Sequence, residues 1–130
     1  MSFTNYLETE ILDHVFAGAA YTAPGTHYLA LFTAVSDGEA GSVTEVSTSG
    51  TAYARVAVSF STSGDTTSNS GAVEYATATG SGFGTVTHVG VYDASTSGNL
   101  MCYATLTASK AIAAGDVFRV PAGDLDITLN

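Results

Sequence analysis

The chain has 130 residues, 45% of them hydrophobic and 12% charged, with three basic residues against twelve acidic and a formal net charge of −9. One domain with a core is the expectation, since a chain of this size buries about two-thirds of its unfolded surface. Aliphatic and aromatic residues recur throughout, which argues against disorder. Three cations cannot neutralise a run of phosphates, so neither nucleic acid nor an anionic membrane is an expected partner. A lone cysteine, Cys102, excludes an internal disulfide framework and a cysteine-rich zinc site.

The first eight residues lack a basic region, and Glu8, Glu10 and Asp13 stand where a signal peptide is apolar. No run approaches 18 apolar residues, and the expectation is a protein made and assembled in a cytoplasm. Phe3, Leu7, Ile11, Leu12, Val15 and Phe16 recur mostly at spacings of four, which predicts a helix over 3–16 with one apolar stripe. Thr4 or Asn5 is the expected cap, with Glu8 three residues after Asn5 in the manner of a capping box, and Gly18 the stop. So short a helix is marginal alone, so the stripe needs burial, on its own domain or on a neighbouring subunit. The second option makes Phe3, Leu7, Ile11, Val15 and Phe16 the candidate assembly interface of an arm spanning 1–18.

Everything after residue 18 reads as strands and turns. Apolar or alternating runs at 26–35, 53–60, 72–77, 85–93, 100–107, 117–120 and 125–129 predict strands. In the second, Ala54, Val56, Val58 and Phe60 form one face and Arg55 and Ser59 the other. Pro24-Gly25, Asp37-Gly38, Gly64-Asp65, Ser97-Gly98-Asn99, Gly115-Asp116 and Gly123-Asp124 punctuate the runs as turns. The fold class that follows is all-β: an antiparallel β-sandwich, jelly-roll or Ig-like, over 19–130, preceded by the helix. The Ser-, Thr- and Gly-rich stretches 36–51 and 61–70 read as long loops.

A search for catalytic chemistry finds no constellation. No Gly-x-Ser-x-Gly elbow is present, and His14, His27 and His88 lack metal-ligand spacing. His88 lies in an apolar strand pattern and reads as a satisfied core or interface histidine. Cys102 reads as a small buried hydrophobe rather than a nucleophile. Asp116, Asp124 and Asp126 are weighed as calcium ligands, but no calcium-loop motif supports them. Pairing with Lys110 or Arg119, or exposure to water, is the expectation for these acids. Each of Arg55, Lys110 and Arg119 is expected to find a carboxylate. Gly80-Ser-Gly-Phe-Gly84 lacks the lysine and following helix of a phosphate loop. No enzyme, no cofactor and no metal are the expectations.

Several stretches combine into a family pattern. They are Ser2-Phe-Thr-Asn-Tyr-Leu-Glu, Tyr21-Thr-Ala-Pro, Tyr28-Leu-Ala-Leu-Phe-Thr, Tyr53-Ala-Arg and Thr67-Ser-Asn-Ser. Gly84-Thr-Val-Thr-His-Val-Gly-Val-Tyr-Asp, Gly98-Asn-Leu and Gly115-Asp-Val-Phe-Arg-Val-Pro-Ala-Gly-Asp-Leu complete it. In this order the stretches resemble small tailed-bacteriophage structural proteins commonly labelled phage tail fibre protein, over nearly the whole chain. The resemblance implies a virion protein, assembled in the bacterial host cytoplasm. A fibre shaft requires repeats or coiled coil, and this chain has neither. The main expectation is therefore a capsid decoration (cement) protein, oligomeric and partnered by major capsid or tail proteins. The alternative is a tail-fibre or tail-tip module that contacts a host receptor, with Tyr21, Tyr53, Tyr75 and Tyr92 as carbohydrate-facing aromatics.

Overall fold

The structure, a computed structural model, describes residues 1–129. A two-residue strand, β1 (Ser2–Phe3), leads into α1 (Asn5–Leu12), which continues as a π-helical turn over Asp13–Ala17. The strands that follow are β2 (His27–Asp37), β3 (Ser42–Glu45), β4 (Val56–Val58), β5 (Phe60–Ser63), β6 (Thr66–Asn69) and β7 (Val73–Glu74). β8 (Gly84–Tyr92), β9 (Leu100–Ile112), β10 (Arg119–Val120) and β11 (Asp126–Thr128) complete the chain. All pairings are antiparallel. The large sheet has the order β1-β9-β8-β2-β3, with β4 also on β2, and two small sheets, β10-β7 and β11-β6-β5, complete an all-β sandwich.

β2 is the axis of the fold because both of its faces are apolar. Leu29 and Leu31 enter the main core with Val89, Val91 and Cys102 of the large sheet, against Val73, Tyr75, Phe118 and Leu125 of the opposing layer. Ala30 and Phe32 face the other way and form a second cluster with Tyr92 and Leu100. Gly90 makes this second cluster possible: a Cβ there would lie 2.6 Å from the Phe32 ring and 2.7 Å from Leu100. Over the same face, the turn after β2 presses Gly38 flat on the Tyr103 ring.

On the side of β2 away from β8, the ladder is interrupted. β4 pairs only as far as Leu29 and β3 begins at Phe32. Side chains and one loop amide close the gap. The Tyr53 hydroxyl accepts from the Leu31 amide at 3.0 Å, the Tyr75 hydroxyl donates to the Leu29 carbonyl at 2.6 Å, and the Val46 amide donates to the Leu31 carbonyl at 3.0 Å. Buried backbone groups without partners are costly, so two tyrosines serve here in place of a strand. Their rings stack at 5.9 Å and meet Phe83 edge-on.

Four expectations need correction. Phe3 belongs to a strand, paired with Cys102, so the helix begins only after it. The predicted loop 36–51 contains β3, hairpinned onto β2, and the predicted loop 61–70 is the β5–β6 hairpin. Both hairpins are polar on their outward side, so no apolar alternation marks them. Finally, the faces predicted for 53–60 hold at Val58, Phe60 and Ser59 but are reversed at the start of the run, where Ala54 is exposed and the Arg55 side chain is only 7% accessible.

Candidate functional site: the N-terminal arm and the mouth of the sandwich

Thr4 anchors the arm. Its hydroxyl caps α1, accepting from the Leu7 amide at 3.4 Å, and donates to the Leu100 carbonyl at 2.6 Å. Its own amide donates to the Met101 carbonyl at 2.9 Å, so a buried threonine joins helix and sheet. The Asn5 amide adds a bond to the Glu39 carbonyl. At the far end Gly18, with φ of 74°, ends the helical run in the left-handed conformation that favours glycine. The Tyr21 amide then donates to His14 Nδ1 at 3.1 Å and turns the chain back toward β2.

The candidate interface residues divide along this axis. Leu7 is buried and Phe3 packs against the main core, so both are satisfied within the molecule. Ile11 is half-buried. Val15 is 60% exposed and Phe16 80%, and Leu12 beside them is 57% exposed. Among the described residues these three make up the apolar tip of the arm, and Val117 and Leu129 are the other large hydrophobics left open.

Below the arm root the sandwich is open. Between the large sheet and β11-β6-β5 lies an apolar cavity of about 220 Å³, bounded by Phe3, Leu7, Phe60, Met101, Cys102 and Ile127. A second depression of about 200 Å³ adjoins it, sharing Phe3, Thr67 and Ile127 and running on to Leu129. His27 borders the first depression with its ring edge-on to Phe60, and burial lowers its pKa against a smaller opposing pull from Asp93. Cys102 forms part of the floor, where burial pushes its thiol up to about 12. It pairs in the ladder with Phe3 and Val91.

The strongest polar assembly lies elsewhere. Arg55 grips Glu45 through two bonds of 2.9 Å and donates to the Ala94 and Ser97 carbonyls at 3.0 and 2.7 Å. Its guanidinium stacks 3.5 Å from the Tyr92 ring centroid. Glu45 also accepts from the Tyr53 hydroxyl at 2.7 Å, and burial, then this bond, raises the phenol's pKa far above its ordinary value. All donors and acceptors here are internal, and the assembly fixes the 93–99 loop to the end of β3. Of the other cations, Arg119 meets Glu74 at 3.7 Å across β10–β7, rather than Asp116, Asp124 or Asp126. Lys110 has no carboxylate within 4.0 Å among the described residues. Asp116 instead accepts from the Ala113 amide, and Asp126 from Ser68. Among the described residues no group of three His, Cys, Asp or Glu is placed to hold a metal ion. Among the described residues no helix is long and apolar enough to cross a membrane.

The tyrosines expected to face a carbohydrate are mostly internal. Tyr53, Tyr75 and Tyr92 are buried, and Tyr21 is half-buried with a hydroxyl that has no hydrogen-bond partner. His88 is half-buried, its Nδ1 2.7 Å from the Thr87 hydroxyl.

These features describe a β-rich building block whose charged assembly around Arg55 is satisfied internally and whose exposed apolar surface lies mainly at the arm tip and the mouth of the sandwich. A family model described as Podophage GP4 fiber I protein gp80 matches residues 2–128, and the chain belongs to that family. It is thus a phage fibre-type structural protein and a virion component. No curated protein matches the chain.

Proposed function

We propose that this chain is a structural module of a bacteriophage fibre, joined to its neighbours in the virion through the tip of the N-terminal arm. The observation that carries the reading is the family match, which extends from β1 through β11 and whose description is that of a fibre protein. The match favours the fibre over capsid decoration, the main expectation from the sequence. The arm supports a joining role. Its root is hydrogen-bonded into the large sheet, so a load on the tip is passed to the sandwich rather than to a flexible linker. A structural role is favoured over direct receptor contact because three of the four candidate tyrosines are core residues.

Cryo-electron microscopy of virions, with antibody fragments against this chain, tests the reading. Label on the fibres at the tail is the expected result. Label spread over the head lattice would return the protein to capsid decoration and overturn the proposal.

A further inference from the structure

We draw no further inference here: the strongest candidate, the polar cleft of about 310 Å³ between the root of the arm, the 39–41 turn and Gly98–Leu100, is the N-terminus of α1 edged by the exposed Glu39 and Asn99, and no second feature among the described residues points to a ligand for it.

Discussion

Replacing Tyr53 with Phe removes one oxygen and almost no volume, so the ring stack with Tyr75 and the edge contact with Phe83 persist. Two hydrogen bonds are lost. The Leu31 amide, on a fully buried residue at the break in the β2 ladder, is left without an acceptor, which costs about 1–3 kcal/mol. The second bond runs to the Glu45 carboxylate, and bonds to charged groups contribute about 1.5–3 kcal/mol. Glu45 keeps both Arg55 bonds and is partly accessible, so much of this second loss is recovered by water. A net destabilisation of about 2–4 kcal/mol follows, or about 6–15 °C in melting temperature for a domain of this size. The control is Tyr75→Phe, which deprives the Leu29 carbonyl of its 2.6 Å bond. A carbonyl has two lone pairs and tolerates the loss of one partner better than an amide, so about 1 kcal/mol is expected there. Urea unfolding at fixed protein concentration, followed by circular dichroism, gives both values. If Tyr53→Phe costs no more than Tyr75→Phe, or less than about 0.5 kcal/mol, the hydroxyl does not replace a strand and the reasoning fails.

Other outcomes follow from the same geometry. Arg55→Lys keeps the charge but loses the forked grip on Glu45 and the bonds to Ala94 and Ser97, so limited proteolysis should show faster cleavage in the 93–99 loop and urea unfolding a loss of about 2–3 kcal/mol. Gly90→Ala forces a Cβ to 2.6 Å from the Phe32 ring, and a destabilisation of about 1–3 kcal/mol is expected by the same measurement. The Cys102 thiol should resist iodoacetamide at pH 8 in the folded protein and react at once in urea. Its pKa is raised on folding, so the folded state binds that proton more tightly. The stability this contributes is complete below the unfolded value near 8.5 and is lost as pH rises toward about 12, and Tyr53 and Tyr75 act in the same direction. An alkaline titration of the melting temperature should therefore fall steadily above pH about 9, and a flat profile would contradict the burial of these groups.

The parts of this fold legible in the sequence are those that obey one period. β2, β8 and the first half of β9 stand out because their apolar residues are continuous or alternate, as buried strands require. The β5–β6 hairpin does not, because its Ser and Thr side chains bond to each other, as Thr62 does to Thr67, and hydroxyl ladders leave no hydrophobic trace. Phe3 misleads for a physical reason: four residues before Leu7, it fits the helical stripe, yet Thr4 caps the helix and turns the preceding backbone into a strand. The stop at Gly18 was readable and the cap was narrowed to Thr4 or Asn5, since capping is local chemistry, and Thr4 is the one that caps. Which members of the stripe end up covered was not, because Leu7 and Phe16 differ only in what the distant β9 and β11 place beside them. Arg55 and the two ladder-closing tyrosines were equally hidden. Their partners lie up to 46 residues away, and no spacing rule connects them.

The pairing of β1 with β9 has a consequence in time. Ser2 and Phe3 align with Tyr103 and Cys102, and the Met1 amino group reaches the Asp126 carbonyl at 3.4 Å. Ser2 and Phe3 therefore wait for residues about 100 positions further along the chain before they find their places. Closing a loop of about 100 residues costs about 4 kcal/mol in chain entropy, so this contact forms late, after the local hairpins. Until β9 is in place the arm has no root. A half-made chain thus cannot present a rigid arm, which makes readiness to join a neighbour a report on whether the whole domain has folded.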